Sequence, residues 1–394
     1  MRILFCAAEA PLPPLNGGRL QLTHLVAGLA RRHEVDIVAY RWPGQHGEPP
    51  AGVALETMPA PARSRRILST PYAALRRLPG QVISETPRMA AAARRRLAAD
   101  PADVVHVAGA RLAAVIDALN PCPAVLVPLD AWHLNAEAAA RVGGPLARAV
   151  RTREATAVRR FGTHAYRGYA SVVVVSEADA AAARELDPGL HVDVVPNGVD
   201  TDAYAPNRAV AREPGLVVFV GAMQWAPNVE AAGFLVRQVW PLVLEAVPGA
   251  RLALVGRNAG EPVRRLGRAS GVEVIGEVPD VRPWLWRASA FACPMVSGTG
   301  IKNKLLEAMA CGTPSVATPL ALRGIRAEPG RELLVGSGAA DVAQALVRAL
   351  TDGELGGGLG SAARDFVVRE HSWEAVVRAY EGIYGAAAGV TSLR

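Results

Sequence analysis

Short runs of β-branched and aliphatic residues alternate along this chain with longer stretches of helical periodicity. RILFCA, EVDIVAY, DVVHV, AVLVPL, SVVVVS and HVDVVP succeed one another through the first half. Largely continuous apolar runs, rather than alternating ones, suit strands covered on both faces of a parallel sheet. The first half therefore reads as a doubly wound α/β domain. Around PNGVDTDAYAPNRAVAREPG the pattern pauses in turn formers, and a second series then starts with LVVFVG and runs through RLALVG, VEVIG, SAFACP, TPSVAT and ELLVG. Enough residues separate these runs for crossover helices. The expected domains are residues 1–205 and 206–371, followed by a helix over 372–394 with Trp373, Val376, Val377, Tyr380 and Ile383 at helical spacing. That helix has either domain to pack on, a return to the first being the arrangement we expect. Two such sheets facing each other would enclose an interdomain cleft at their carboxyl ends, where open α/β sheets bind ligands.

Composition narrows the partners. With 51% apolar and 20% charged residues over 394 positions, the chain reads as globular throughout. A net charge of +7 favours a polyanion: nucleic acid, an anionic lipid surface or a phosphorylated small molecule. Arginines crowd the first half, in RSRRILSTPYAALRRL, RMAAAARRRL and RAVRTREATAVRRFGTHAYRGY, as solvated helix faces or as a peripheral contact with an anionic membrane. Only 5% of residues are aromatic, too few for an interleaved stacking surface, so no nucleic acid is expected. Cys6, Cys122, Cys293 and Cys311 are scattered and form no C-x-x-C pair, and the eight histidines show no zinc-type grouping. No metal is expected. The start, MRILFCAAEAP, is too short an apolar run for a signal peptide, and no run approaches the ~20 residues that span a bilayer. A cytoplasmic location follows, with the inner face of the membrane as a peripheral alternative.

One segment concentrates the chemistry. GTGIKNKLLEAMACGTP holds Lys302 and Lys304, the only lysines in the chain. It follows the strand SAFACP and leads into a helical pattern stopped by Gly312 and Pro314. Gly298 and Gly300 let backbone approach a ligand closely, and the helix start offers unpaired N–H groups to an anion such as a diphosphate. Cations at a helix start oppose the macrodipole unless an anion offsets them, which gives both lysines a reason to be there. Glu307, one turn on, suits the hydroxyls of a ribose diol; the plainer alternative is an ion pair with Lys304, worth roughly 0.2–0.5 kcal/mol.

With these residues in view, the chain resembles the retaining glycosyltransferases of family 4. The resemblance covers nearly the whole sequence, through PLPPLNGGRLQLTHLVAGLARRHEVDIV, VVVVSEADAAAARELDPGLHVDVVPNGVD, LVVFVGAMQWAPNVEAAGFL and GTGIKNKLLEAMACGTPSVATPLALRGI. It implies the GT-B fold, two facing Rossmann-like domains, and transfer of a sugar from a nucleotide diphosphate-sugar to an acceptor hydroxyl with retention and without metal. Two departures matter. Family members commonly carry paired glutamates seven residues apart; Glu307 matches the second, which binds ribose, but Thr299 stands at the first, in a G-x-G-x-K-x-K-x-L-E version. Contact with the donor sugar then falls to the Thr299 hydroxyl and the backbone of Gly300 and Ile301. Where many members hold the diphosphate with Arg and Lys, this chain reads GAMQWAPN without a cation, which shifts that role to Lys304, Lys302 and the amides near Asn303.

In the first domain, Gly17 and Gly18 sit between a strand and a helix, as an anion cradle or an ordinary turn. The resemblance places a histidine near the end of AVLVPLD, and Asp130 or His133 takes that role toward the acceptor hydroxyl, with His133 as a part-buried helix-start residue the alternative. His106 ends another strand and ranks below Asp130. Asn197 and Gly198 read as a turn, Asp280 as an N-cap. The rival functions are a nucleotide-sugar-binding protein with impaired catalysis and, since GTGIKNK lacks a third glycine, more remotely a nicotinamide oxidoreductase.

Overall fold

The computed structural model describes residues 1–12, 17–62, 77–129, 131–298 and 300–389. Asp130 and Thr299, both singled out above, lie outside the described residues, as does most of the first arginine-rich segment. The chain contacts divide into two units: Met1–Val195 with the stretch from Val376 onward, and Pro196–Ala375.

The first unit is a seven-stranded sheet in the order β3-β2-β1-β4-β5-β6-β7, built from β1 Arg2–Ala7, β2 Glu34–Arg41, β3 Val53–Pro59, β4 Val104–Ala108, β5 Ala124–Val127, β6 Ser171–Val174 and β7 Val192–Val194. Every neighbouring pair is parallel. β4, β5 and β6 are buried at every position, as strands covered on both faces must be. β3 has no counterpart among the apolar runs. It is the edge strand, and VALETMP alternates buried and wetter positions because only one face is covered. Asp36 is the charged exception inside β2: buried, it accepts from Arg2 at 3.0 Å and from Arg96 at 2.9 Å. A buried carboxylate requires such partners. Several first-half arginines are tied in this way; Arg159 pairs with Glu137 and Glu185, and Arg167 with Asp187.

The second unit is a six-stranded sheet in the order β10-β9-β8-β11-β12-β13, from β8 Glu213–Val220, β9 Arg251–Val255, β10 Val272–Gly276, β11 Ala288–Cys293, β12 Ser315–Ala317 and β13 Leu334–Val335. All its pairs are parallel too. In each sheet the chain winds outward in both directions from its first strand. The reversals fall between β1 and β4, and between β8 and β11. At such a switch point the adjacent connections leave on opposite faces and open a crevice above the strand ends.

The last helix, Trp373–Ala387, divides between the units. Trp373 packs on Gly198, where a Cβ would lie 2.4 Å from its ring, in the second unit. From Val376 the helix docks on the first unit. Val377 sits against Gly28, Glu381 pairs with His33 at 2.8 Å, and the Tyr384 hydroxyl meets His106 Nδ1 at 2.6 Å. Tyr384, not Ile383, completes the buried stripe with Val376, Val377 and Tyr380, because the seventh and eleventh residues from Val377 and Trp373 fall on the same face. Among the described residues no helix is long and apolar enough to cross a membrane.

Candidate functional site

In the second unit the switch point is occupied by the lysine segment. β11 ends at Cys293, the loop turns through Gly298 and Gly300 with φ of 96° and 74°, and the helix Asn303–Ala310 begins. Those φ values are the left-handed region in which glycine is unstrained. Lys302 is the N-cap residue and is buried; its ammonium turns back into the loop, donating to the carbonyls of Gly300 at 2.7 Å and Gly298 at 3.3 Å. It thereby fixes the loop's shape. Burial draws its pKa below the usual lysine value.

Lys304 points the other way, across the switch point toward the end of β8. Its Nζ donates to Asn228 Oδ1 at 2.5 Å and lies 4.9 Å from the centre of the Phe219 ring. Asn228 is held by its own donation to the Ala222 carbonyl at 2.9 Å, so its oxygen is aimed at the ammonium. At Gly221, the first residue after β8, a Cβ would stand 2.9 Å from Nζ and 2.8 Å from Asn228 Nδ2. Only a residue without a side chain admits the lysine there. Desolvation lowers the pKa of Lys304, opposed by the nearby Cys293 thiol and Glu307. A buried ammonium with one neutral acceptor is poorly compensated, and an anion at the mouth would supply what is missing.

Glu307 is half-buried one turn further on. No ion pair joins it to Lys304, and its carboxylate has no hydrogen-bond partner among the described residues. Burial pushes its pKa up to about 7, with Lys304 pulling the other way. Such a carboxyl is matched to a ligand that brings its own O–H donors. Asn303, beside it, accepts from Asn197 Nδ2 at 3.4 Å, so the PNGVD loop reaches the helix start. The N–H groups of Asn303 and Lys304 have no intrahelical acceptor, since the helix begins with them. Ile301 is part-buried against the core of the unit. Two residues missed in the sequence follow β8: Asn228, which meets Lys304, and Trp225, 63% exposed just before the helix Ala226–Phe234. Asp280 is not the N-cap; Val281 is, and Asp280 accepts instead from the N–H of Arg282 at 2.9 Å and from its guanidinium.

The first unit's switch point holds a cavity of about 410 Å³. It is lined from the ends of β1 and β4, from the helix Gly17–Leu29 by Gly18, Arg19 and Gln21, and from the last helix by Tyr380. Gly17 opens that helix. His106 lines the cavity; His133 does not. His133 is buried among helices with Arg159, Glu137 and Glu185 as its charged neighbours, and desolvation followed by Arg159 lowers its pKa. The next residue back, Trp132, takes the cavity-facing position, because one residue of helix turns the side chain by about 100°. The charges around the cavity are already coupled. Glu9 lies 3.6 Å from Arg19 and 3.4 Å from Arg111, and Arg111 is 2.8 Å from Glu85, which is completely buried. Among the described residues no group of three or more His, Cys, Asp or Glu gathers as metal ligands.

Residues 15–203 match the model of Glycosyltransferase Family 4, and residues 214–352 match that of Glycosyl transferases group 1. Together the two glycosyltransferase models account for most of the chain, which is of the family 4 and group 1 type. A phosphatidyl-myo-inositol mannosyltransferase of Mycolicibacterium smegmatis is 30% identical over 205 residues, 49% of this chain and 52% of that protein. A D-inositol 3-phosphate glycosyltransferase of Segniliparus rotundus is 32% identical over 146 residues, covering 32% of this chain and 31% of its own. The match thus spans about half the length of the first of these relatives. Among solved structures, sucrose-phosphate synthase of Thermosynechococcus elongatus superposes with a TM-score of 0.70 at 17% identity, over 99% of this chain and all of that one. HepE of Anabaena, solved with UDP, gives 0.66 at 15%, over 98% of this chain and all of its own. WaaG, a glycosyltransferase involved in lipopolysaccharide biosynthesis, gives 0.63 at 17%, over 97% and 100%. These three share the fold, the GT-B arrangement of two Rossmann-like domains.

Proposed function

We propose that this protein transfers a sugar from a nucleotide diphosphate-sugar to an acceptor hydroxyl, with retention of configuration and without a metal. The observation that carries the reading is the placing, at the β8/β11 switch point, of a desolvated Lys304 and, one turn along the same helix, a Glu307 whose carboxylate has no hydrogen-bond partner among the described residues. Lys304 and the amides of Asn303 and Lys304 would meet the diphosphate, and Glu307 the ribose diol. The bond from C1 of the sugar to the diphosphate breaks, a bond from C1 to the acceptor oxygen forms, and the hydroxyl proton ends on the nucleoside diphosphate. Charge grows on the leaving group as C1 departs, and a fixed ammonium and oriented amides stabilise it without reorganising. Gly298 and Gly300, whose carbonyls accept from Lys302, would carry the sugar-facing backbone together with Ile301.

The acceptor would sit at the other switch point, in the cavity lined by Gly18 and His106. A lipid-linked acceptor is supported by the relative that acts on phosphatidyl-myo-inositol and by the surface of the first unit. There Val142, Leu146 and Val150 are 63%, 80% and 63% exposed, four residues apart, with Arg141, Arg148, Arg151 and Arg153 around them. An apolar stripe flanked by arginines suits an anionic bilayer surface.

The test is turnover of UDP-glucose and GDP-mannose, by transfer or by slow hydrolysis. Lys304→Met is expected to lower it at least 100-fold, the order of loss when one charge-stabilising donor is removed. Turnover within threefold of the wild type would remove Lys304 from the mechanism.

A further inference from the structure

The loops that leave β11 and β12 lie side by side and bring two cations together. Thr318, the first residue after β12, donates through its hydroxyl to the Met295 carbonyl at 2.6 Å and through its N–H to the Cys293 carbonyl at 3.3 Å. The turn that follows is pinned. Ala321 and Ile325 are buried, the Ala321 N–H bonds back to the Thr318 carbonyl at 2.9 Å, and Gly324 takes a φ of 82°. Arg323 stands between those anchors, exposed at the carboxyl end of the sheet.

Exposure by itself says little, since an arginine in water needs no protein partner. The surroundings say more. Residues 294–302 and 318–327 hold Lys302, Arg323 and Arg326 and no Asp or Glu. Burial is the main reason the Lys302 pKa is lowered, and the Arg323 guanidinium adds to that lowering, so the two cations are close enough to repel. Among the described residues the Arg323 side chain has no hydrogen bond or ion pair. The carboxylates that border these loops have other partners: Glu328 lies 3.3 Å from Arg331, Glu332 accepts from the Glu328 N–H, and Glu230, reaching in from the β8 side, accepts from the Ser297 hydroxyl. Like charges held together on fixed loops favour an anion that meets them.

The diphosphate is on the wrong side to be that anion. In the strand order β8-β11-β12, Lys304 turns toward β8, whereas Arg323 comes from the β12 side. The loop bearing Gly298 and Gly300 lies between them, and that loop is the one assigned to the sugar. An anion that meets Arg323 would therefore be carried by the sugar. A carboxylate suits it, because the guanidinium offers two parallel N–H donors to two oxygens.

We propose that the donor is a nucleotide diphosphate-uronic acid, with the C6 carboxylate of the sugar accepting from the Arg323 guanidinium beside Gly298 and Gly300. This deepens the transfer reading and rests on it. Arg323 selects among donors and takes no part in the bonds made and broken at C1.

Calorimetric titration of the full chain tests it, with donors that differ at C6 alone: UDP-glucuronate against UDP-glucose, UDP-galacturonate against UDP-galactose, and GDP-mannuronate against GDP-mannose. UDP and GDP without sugar are the reference. In at least one pair the uronate should bind about tenfold tighter or more than its hexose. Arg323→Gln should remove that advantage, with hexose and nucleoside diphosphate affinities kept within about twofold and the unfolding midpoint unchanged, as expected of an exposed residue. Arg323→Met carries the same expectation if Gln lowers that midpoint. A hexose bound as tightly as its uronate in every pair, an advantage that survives in the Arg323 variants, or variants that weaken UDP or GDP as much as the uronates would each overturn the proposal. Any of these with UDP or GDP still bound by the wild type leaves the transfer reading standing. A wild-type protein that binds no nucleoside diphosphate and no nucleotide sugar sinks that reading, and this inference with it.

Discussion

The two switch points of this molecule solve opposite electrostatic problems. In the first unit, charges at the cavity are matched within the protein: Arg111 with Glu85 and Glu9, Arg19 with Glu9. In the second, Lys304 is desolvated against Phe219 and a single amide oxygen, and Glu307 lies one turn away without forming an ion pair. The first arrangement supports the fold. The second is left incomplete by the protein, at a cost to folding that only a ligand carrying both an anion and hydroxyls would recover. A matched network should be felt in stability when broken, an unmatched pair in binding.

The largest expected effect follows from that contrast. Arg111→Met withdraws the guanidinium from a completely buried Glu85 and should destabilise the first unit by about 3–5 kcal/mol, seen in thermal or denaturant unfolding. Lys304→Met, which replaces a desolvated ammonium with an apolar chain over an aromatic ring, should leave stability equal or higher. If both variants lose stability alike, the contrast between the two regions fails.

Next in size is a dependence on pH. Glu307 has its pKa raised from 4.5 to about 7 in the folded protein, so between those values the native state holds a proton that the unfolded chain has released. Its contribution to stability is therefore fully present below the ordinary carboxyl range and is lost as pH rises through about 7. Binding runs the other way, because the ionised carboxylate accepts from a diol. Affinity for a nucleotide sugar, whose diphosphate does not titrate here, should rise several-fold between pH 6 and 8, and Glu307→Gln should flatten both profiles. A pH-independent affinity in the wild type would separate Glu307 from the ligand.

The smallest effect concerns the surfaces. Leu146→Glu with Val150→Glu should reduce sedimentation with phosphatidylglycerol vesicles by about tenfold and leave turnover of soluble substrates unchanged. Equal vesicle binding would reassign those arginines to solvation.

Much of the fold was legible before any coordinates. Each apolar run quoted from the sequence became a strand, and the central strands, covered on two faces, leave the clearest signature. β3 escaped because an edge strand with Glu56 and Thr57 does not. The second switch point was legible for a different reason: the chemistry is local, with Gly298, Gly300, Lys302, Lys304 and Glu307 inside ten residues. The division of labour between the lysines was not, since whether an ammonium turns to its own loop or to β8 depends on Gly221 and Asn228, some 80 positions upstream. The first switch point is built almost entirely from distant segments. Arg111 and Glu85 come from separate helices, and His106 meets Tyr384 across 278 positions. The resemblance and the strand-end position offered Asp130 or His133; Asp130 lies outside the described residues, and the rotation of one short helix turned His133 away from the cavity and Trp132 toward it.

The most direct test of the central idea is calorimetric titration of UDP-glucose and GDP-mannose into the wild-type protein and Lys304→Met, alongside their unfolding midpoints. Saturable binding of one nucleotide sugar by the wild type, weakened at least thirtyfold in a variant that unfolds no earlier, is the predicted outcome. Undiminished affinity in Lys304→Met, or no binding of any nucleotide sugar by the wild type, would contradict the account.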